Sequence, residues 1–277
     1  WLRTYEGILP GFELGLRLPE DPEAWLDWLT ARGSRRPADF WDIYRPVDGG
    51  GRPSRAPARF SQDESQAAFL TDAFLDWHGR QSGEPWFAHV SYLSPHPPFV
   101  APVPFNDLYD PAGGPAFRAA ATPAEERRMH PLLARIHDTT GRRYYVIGAG
   151  RERVADWSET DFRVIRATYW GMVSEVDRQI GRLIDAVGDD TVIVVTSDHG
   201  EMLGDHFLLG KAGWFDQAFH VPLVIADPRR PGRGRVEAFT EAVDVMPTLL
   251  ALAGGEAPRY LDGVSLLPFL DASAPPA

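Results

Sequence analysis

The most informative segment of the sequence is Thr191-Val-Ile-Val-Val-Thr-Ser-Asp-His-Gly-Glu-Met-Leu-Gly-Asp-His-Phe-Leu-Leu-Gly-Lys211. It begins with a β-branched apolar run that has the length of a buried parallel strand. Asp198 and His199 follow this predicted strand at once. Ligands of open α/β sheets bind in the crevice beyond the carboxyl ends of the strands. The Asp-His pair is therefore well placed to hold a divalent metal or an oxyanion.

Two more polar residues, His206 and Lys211, follow the pair within a dozen positions. Gly204 and Gly210 allow the backbone to turn tightly around them. A competing interpretation is that the carboxylate of the pair only caps a helix and that its imidazole is an ordinary loop side chain. The residues by themselves favour a metal site or a phosphate-like site over that interpretation.

The composition is that of a globular protein and excludes several classes of function. The length of 277 residues suits one large α/β domain or two small ones, and 44% apolar with 24% charged residues is ordinary. A formal charge of −11 argues against nucleic-acid binding, although a metal and a few cations can still hold an anionic substrate. No run reaches the roughly 18 apolar residues of a transmembrane helix, so we expect no membrane partner. The absence of cysteine excludes disulfides and a cysteine nucleophile within this chain.

The remaining sequence predicts helices and strands around this stretch. Capping residues and apolar spacing predict a helix that starts at 22–29, with Asp21 as N-cap and a stop at Gly33, and further helices at 61–77, 159–187 and 243–253. Apolar runs predict strands at 85–93, 191–196 and 221–226, and a short one at 142–147. Residues 39–46 are predicted to be irregular surface, and residues 261–270 a compact turn. The helix at 159–187 followed by a strand is half of a right-handed crossover unit.

A second predicted strand also ends at a histidine. His96 follows the strand at 85–93, in the proline-stiffened loop Ser94-Pro-His-Pro-Pro-Phe99. Alone, it would be interpreted as a packed loop residue, but a second strand end with an Asp-His pair makes it a functional candidate. Residues 100–160, rich in proline, alanine and glycine, have the length of an insertion that shapes a pocket rim.

The order of these motifs resembles the sulfatase family of the alkaline phosphatase superfamily, over roughly residues 20–270. The form Ser197-Asp-His-Gly-Glu-Met-Leu-Gly-Asp-His206 is similar to that of its phosphonate monoester hydrolase and phosphodiesterase branch. The segments that carry the resemblance are Trp86-Phe-Ala-His-Val-Ser-Tyr-Leu-Ser-Pro-His-Pro-Pro-Phe99, Tyr169-Trp-Gly-Met-Val-Ser-Glu-Val-Asp177, Thr196 to Lys211, His220-Val-Pro-Leu-Val-Ile225 and Asp244-Val-Met-Pro-Thr-Leu-Leu250.

The resemblance implies an α/β fold with a mixed, mostly parallel central sheet flanked by helices. It implies hydrolysis of a small anionic substrate, either a sulfate ester or a phosphonate or phosphate ester. Asp198 and His199 would ligate one divalent cation, for which carboxylates suit Ca²⁺ or Mg²⁺ and an imidazole favours Mn²⁺. Lys211 would contact the anionic group, and His96 would bind the substrate or assist the leaving group, so that both are catalytic and substrate-binding residues.

The family also uses a formylglycine nucleophile made from Cys or Ser in a Cys-x-Pro-x-Arg-like motif, and the sequence departs from the family here. It has no cysteine, and Ser54-Arg-Ala-Pro57 has the wrong spacing. Two further aspartate ligands belong to a first strand upstream of anything in this sequence. We therefore expect residues 1–270 to be part of a sulfatase-type domain, incomplete at the N-terminus and inactive alone, with 271–277 as a tail.

Two other functions remain open. The chain could belong to a catalytically dead relative that is kept as a binding or structural module. It could also belong to a metal-dependent phosphatase or phosphodiesterase with a different nucleophile. A homo-oligomer is open as well, because the nine tryptophans and the aromatic opening segment could form an exposed interface.

Overall fold

The computed structural model describes residues 22–230 and 234–271, and the chain divides into two compact units. The first unit runs to residue 186 and includes 201–215, and the second contains 187–200 and the residues from 216 onward. The predicted N-cap Asp21 and the aromatic opening segment lie outside the described residues. Within the described ranges, no helix combines the length and the apolarity that crossing a membrane requires.

The first unit is built from helices. They are α1 (Pro22–Ala31), α2 (Gln66–His78), α3 (Pro123–Met129), α4 (Pro131–Thr139) and α5 (Glu159–Val187), whose last residue begins the second unit. Short 3₁₀ helices lie between them at Phe40–Tyr44, Phe105–Asp107, Pro111–Gly113, Arg142–Tyr144 and Val154–Asp156. A further 3₁₀ turn, Asp205–Phe207, follows in the segment 201–215.

Helix α5 has the bounds that its sequence predicts, Glu159–Val187. At its start, Asp161 accepts a hydrogen bond from Ser158 N at 3.0 Å, while Ser158 Oγ accepts one from Asp161 N at 3.2 Å. This reciprocal pair is a capping box. At the other end Gly188 has a φ of 79°, the left-handed conformation that ends helices and favours glycine. Both ends are thus set by residues next to the helix.

Two buried clusters hold the first unit together. One surrounds Trp25, which is fully buried and whose Nε1 donates a hydrogen bond to Glu64 O at 2.9 Å. Residues 39–46, predicted to be irregular surface, instead contribute a 3₁₀ helix whose Ile43 is buried in this cluster. The prediction is wrong because Phe40 packs edge-on against Trp25, which an irregular sequence pattern does not reveal. The other cluster contains Phe99, Ala101, Phe105, Tyr145, Val146, Val154, Trp157, Phe162, Ile165, Met172 and Leu209.

Helix α2 begins later than the sequence predicts. Ser61 N does donate to Glu64 Oε2 at 2.9 Å, as expected for a capping box, but this bond closes a turn before the helix. The N-cap is Ser65, whose Oγ accepts a hydrogen bond from Ala68 N at 3.0 Å. The observed helix therefore starts at Gln66.

Two predicted strands of the first unit are absent. Residues 85–93 belong to no strand and largely alternate between exposed and half-buried, and no ladder partner lies beside them in the part of the chain that the structure describes. Residues 142–144 form a 3₁₀ helix because the backbone N–H groups of Tyr145 and Val146 both donate to Arg142 O. A strand needs a neighbour with which to share hydrogen bonds, and an apolar run alone does not supply one.

The second unit contains the only sheet among residues 22–230 and 234–271. Strands β1 (Ile193–Thr196) and β2 (Leu223–Ala226) pair antiparallel, with Ile193 opposite Ala226 and Thr196 opposite Leu223. The predicted parallel pairing of the 191–196 run is thus not found here, since a short apolar run has no period that distinguishes the two pairings. The helices of this unit are α6 (Asp216–Phe219), α7 (Val245–Leu252) and α8 (Leu267–Leu270). Residues 243–253 are helical as predicted, beginning with a 3₁₀ turn at Ala242–Asp244, whereas α8 replaces part of the predicted compact turn.

A buried carboxylate anchors the chain after β2. Asp227 accepts hydrogen bonds from Arg229 Nε at 2.9 Å and from Arg230 Nη1 at 2.6 Å. The hydrogen bonds from Arg229 are the main cause that lowers the pKa of Asp227 to about 2. Since the folded pKa lies below the ordinary value near 4, the stabilisation is complete above about pH 4 and is lost as pH falls through 2.

Replacing Asp227 by Asn should lower the free energy of unfolding by about 2 kcal/mol at pH 7, because charge-assisted hydrogen bonds are lost. The difference from the unchanged protein should shrink between about pH 4 and pH 2, where the native carboxylate becomes protonated. Denaturant unfolding across this pH range measures it, with the exposed Asp262→Asn as control. A difference that stays constant down to pH 2 would contradict the assignment.

Candidate functional site

The structure divides the four predicted site residues between the two units. His96 and Lys211 belong to the first unit, whereas Asp198 and His199 belong to the second. The structure therefore brings together the predicted metal ligands as one pair, and it places the two predicted substrate-binding residues in a different unit.

The metal pair follows β1, as predicted. His199 Nδ1 lies 2.7 Å from Gly200 O. Because a carbonyl oxygen only accepts, Nδ1 carries the proton and Nε2 keeps its lone pair. This Nε2 lies 3.6 Å from Asp198 Oδ2, and the Asp198 side chain is 85% exposed. Ligating histidines are commonly held in one tautomer by a bond of this kind to the other ring nitrogen.

The backbone after β1 fixes the orientation of the imidazole. Gly200 N donates to Ala218 O at 2.8 Å, and a Cβ at Gly200 would overlap Gln217 O. Ser197 Oγ donates to His199 O at 2.7 Å. The turn that presents the pair is therefore closed by two hydrogen bonds, one within the turn and one to Ala218 of α6, and the close approach of Gln217 O requires glycine at position 200.

The donor set suits a divalent cation. A nitrogen and an oxygen 3.6 Å apart can both reach one ion that lies about 2.1 Å from each. Among the described residues, no group of three or more His, Asp or Glu side chains converges on one point. Asp198 and His199 are thus two side chains whose chemistry suits metal binding, and they do not form a closed site by themselves.

His96 lies in a loop whose peptide bonds before Pro95 and Pro98 are cis. Its Nδ1 lies 2.8 Å from Pro97 O, so Nδ1 carries the proton. Its Nε2 lies 3.2 Å from Tyr144 Oη, which can donate to it. The sequence did not point to Tyr144, because nothing in residues 142–147 shows that they approach a histidine 48 positions earlier.

A cavity of about 670 Å³ in the first unit is lined by both His96 and Tyr144. Phe40, Trp41 and Phe60 contribute aromatic surface to its wall. Ligand sites are typically concave and mainly apolar, with a few polar groups that fix the orientation of the ligand. The cavity has this character beside a predicted substrate-binding residue.

Lys211 follows a closed loop that begins at Glu201. Met202 N donates to Gly210 O at 2.9 Å, and Gly210 N donates to a Glu201 carboxylate oxygen. Burial raises the pKa of Glu201 to about 7, against the opposing effects of backbone N–H groups and of the Lys211 charge. Lys211 itself is exposed, and it is the one lysine among the 28 lysine and arginine residues of the sequence. Glu201 was missed because its burial cannot be seen from the motif.

His206 does not join a metal centre with the other polar residues of the motif. Its Nδ1 lies 2.6 Å from Glu126 Oε1, and its ring stacks on Phe215 with a centroid distance of 3.9 Å. It is therefore a constituent of the loop between Glu201 and Lys211.

Comparison with known proteins gives a consistent family. The Sulfatase family model matches residues 29–255. The chain is 38% identical to the multifunctional alkaline phosphatase superfamily protein PehA of Trinickia caryophylli, over 97% of this chain and 54% of that protein. It is 33% identical to the choline-sulfatase of Rhizobium meliloti (strain 1021), over 75% of this chain and 40% of that protein.

Two solved structures are similar over nearly the whole chain. The phosphonate monoester hydrolase of Agrobacterium radiobacter matches with a TM-score of 0.92 and 47% identity, over 99% of this chain and 55% of that one. The phosphonate monoester hydrolase SpPMH from Silicibacter pomeroyi matches with a TM-score of 0.86 and 38% identity, over 99% of this chain and 57% of that one.

The chain spans about half the length of these relatives. The predicted alkaline-phosphatase-like α/β class is confirmed by the two structures, and within the described residues it takes the form of a helix-rich chain with a small sheet. The predicted resemblance is confirmed by the family model and by the relatives. The chain belongs to the sulfatase family of the alkaline phosphatase superfamily.

Proposed function

We propose that this chain is part of a metal-dependent hydrolase of sulfate esters or of phosphonate and phosphate esters. The observation that carries the proposal is the Asp198–His199 pair, in which the imidazole Nε2 lies 3.6 Å from a carboxylate oxygen and Nδ1 is held by Gly200 O. Family membership supports it, since sulfatases and phosphonate monoester hydrolases depend on a divalent metal. The names of the relatives, a choline-sulfatase and phosphonate monoester hydrolases, support the two ester classes.

Asp198 and His199 would hold one divalent cation, with Mn²⁺, Ca²⁺ and Mg²⁺ as the candidates. When bound, the cation supplies positive charge to the oxygens of the ester group, where negative charge develops during attack. The mixed oxygen and nitrogen donors favour Mn²⁺ over the two harder ions. The nucleophile in this proposal is a formylglycine, and the sequence has neither a cysteine nor a Ser-x-Pro-x-Arg motif from which to make it. We therefore propose that the chain alone is inactive.

Lys211 and His96 would act on the ester itself. Lys211 is a compact charge on a flexible stem, which suits contact with a sulfate or phosphonate oxygen. At His96, the bond from Nδ1 to Pro97 O leaves Nε2 as the atom that can hold or move a proton. To assist the leaving group, Nε2 would take up a proton from solvent and donate it to the leaving-group oxygen, which would replace the Tyr144 hydroxyl beside it.

The cavity beside His96 would receive the organic part of the ester. Its aromatic wall suits an apolar or aromatic group. The insertion at 100–160 is proposed to form the rim of this pocket, within a partial sulfatase-type domain of residues 1–270. Five residues of that segment line the cavity and support this part of the proposal, namely Val100, Pro102, Arg143, Tyr144 and Ile147.

Metal removal from the full-length protein tests the function. Chelation should lower the turnover of an aryl sulfate and of an aryl phosphonate ester at least about tenfold, because the charge on the ester oxygens is no longer offset. Adding back Mn²⁺, Ca²⁺ and Mg²⁺ in turn would identify the ion. Asp198→Asn should bind the metal more weakly, whereas the exposed Asp189→Asn should not.

Full turnover in protein from which the metal has been removed would contradict the proposal. Metal binding without turnover of either ester would favour the other class of function, a catalytically dead binding module. A homo-oligomer and the absence of nucleic-acid and membrane partners remain predictions.

A further inference from the structure

The loop from Glu201 to Lys211, here called the lysine loop, has an unusual backbone. Leu203, His206 and Phe207 have positive φ angles of 48°, 55° and 55°. Each such residue that is not glycine costs about 1–3 kcal/mol and persists only where its surroundings hold it in place. The tip of the lysine loop must therefore be held by contacts from outside the loop.

Four of these contacts are made to His206. Its backbone N donates to Arg118 O at 2.8 Å, and its carbonyl accepts a hydrogen bond from His137 Nε2 at 2.9 Å. Its ring is fixed on one face by Phe215 and at Nδ1 by Glu126. Backbone and side chain of this one residue are thus constrained from several directions.

Glu126 is the charged member of this arrangement and is fully buried. Its Oε1 lies 2.6 Å from His206 Nδ1, and its Oε2 accepts a hydrogen bond from Ala120 N at 2.7 Å. A buried carboxylate is costly unless it is paired, and here the side chain that pairs with it is the strained residue of the lysine loop. Neither the metal pair nor the cavity beside His96 uses this carboxylate.

We propose that Glu126 is a positioning residue for Lys211. Through His206 it fixes the tip of the lysine loop, and the bonds Gly204 N to Leu208 O, at 2.8 Å, and Met202 N to Gly210 O, at 2.9 Å, extend this order to the base. Leu208 and Leu209 are each only 1% exposed, and they anchor the second half of the loop, which leads back to Lys211.

The benefit to Lys211 is a fixed backbone beneath a long, flexible side chain. Groups that act on developing charge must be held in place before the reaction, because small displacements weaken their effect. The inference rests on the proposed function insofar as it assigns the anionic group of the ester to Lys211. The order of the lysine loop can be measured without that assignment.

Glu126→Ala and Glu126→Gln separate positioning from general stability. Alanine removes both contacts of the carboxylate. Glutamine can keep both, because its oxygen can accept from Ala120 N while its amide donates to His206 Nδ1 in the other tautomer. Arg128→Ala is the control, since Arg128 is exposed on the same helix.

Amide hydrogen exchange in the full-length protein gives the first measurement. In Glu126→Ala, the amides of Met202, Gly204 and Gly210 should exchange at least about tenfold faster, with Glu126→Gln and the control close to the unchanged protein. Acylation of Lys211 by an amine-reactive ester, located by peptide mass spectrometry, gives a second reading, because no other lysine occurs in this sequence. The acylation rate of Lys211 in Glu126→Ala should differ from that of the unchanged protein, and the rate in Glu126→Gln should equal it.

Kinetics give the third measurement. Glu126→Ala should lower kcat for the anionic ester about tenfold or more, and Glu126→Gln should recover most of it, which a loss of stability alone would not do under conditions where both variants are folded. If Glu126→Ala does not fold, His206→Asn takes its place, because asparagine tolerates a positive φ but lacks the ring that contacts Glu126.

Unchanged exchange at the three amides in Glu126→Ala would overturn the proposal, whatever the melting temperature. The proposal would also be overturned if the three amides exchanged faster in Glu126→Ala while its kcat stayed unchanged, provided that Lys211→Ala abolishes turnover. If the unchanged full-length protein hydrolyses neither ester, the proposed function fails, and the exchange and acylation rates still decide whether Glu126 orders the lysine loop.

Discussion

Lys211→Ala is expected to lower kcat/KM of the full-length protein about 10²- to 10³-fold for both an aryl sulfate and an aryl phosphonate ester. Losing one preorganised group that faces developing negative charge has an effect of this size in enzymes. No other lysine in this sequence can replace it. Steady-state kinetics with both esters at saturating metal provide the measurement.

Lys211→Arg keeps the charge and should recover only part of the activity, because the planar guanidinium cannot occupy the position of a compact ammonium group. Arg135→Ala, which removes an exposed charge from α4, is the control and should keep full activity. A loss below about tenfold in Lys211→Ala would remove this residue from the site. Equal activity of the Lys and Arg forms would show that net charge alone matters.

The parts of the fold that could be predicted are those set by neighbouring residues. Helix α5 was predicted with both ends because its capping box and Gly188 lie beside it in sequence. The Asp198–His199 pair was predicted after a strand because the apolar run and the break that follows are contiguous. The bond from His199 to Gly200 O is equally local.

The parts that failed depend on residues far away in the sequence. Residues 85–93 have the composition of a strand, yet an extended segment becomes a strand only beside a partner. Tyr144 contacts His96 across 48 positions, and Glu126 contacts His206 across 80. No spacing rule connects such pairs, so the sequence did not indicate either contact.

The segment 100–160 shows most clearly what local patterns leave out. From its sequence it is predicted to be an insertion that shapes a pocket rim, rich in proline, alanine and glycine. In the structure it provides the tyrosine that contacts His96 and the carboxylate that contacts the lysine loop. Helix α3 carries the carboxylate and the 3₁₀ helix Arg142–Tyr144 carries the tyrosine, and they bring these groups to motifs that lie after and before the segment in the chain.

Arg166→Met is expected to lower the free energy of unfolding by about 3–5 kcal/mol, the usual cost of breaking a buried ion pair. Arg166 Nη2 lies 2.9 Å from Asp205 Oδ1, with side-chain exposures of 8% and 11%. The guanidinium also donates to Leu203 O and to Pro115 O and lies 3.9 Å from the centroid of the Phe117 ring. Methionine fills part of the volume but leaves the Asp205 carboxylate in the interior without its counter-charge.

Arg163→Met is the matched control, one turn earlier on α5. Arg163 pairs with Glu159, whose side chain is 66% exposed, and such surface pairs contribute below about 1 kcal/mol. The double variant Arg166→Met with Asp205→Asn should recover part of the loss, because the second change removes the charge that the first leaves behind. Denaturant unfolding of the unchanged protein, of Arg166→Met, of Asp205→Asn and of the double variant measures the coupling energy between the two side chains. If the two losses simply add, the Arg166–Asp205 ion pair does not couple the tip of the lysine loop to α5.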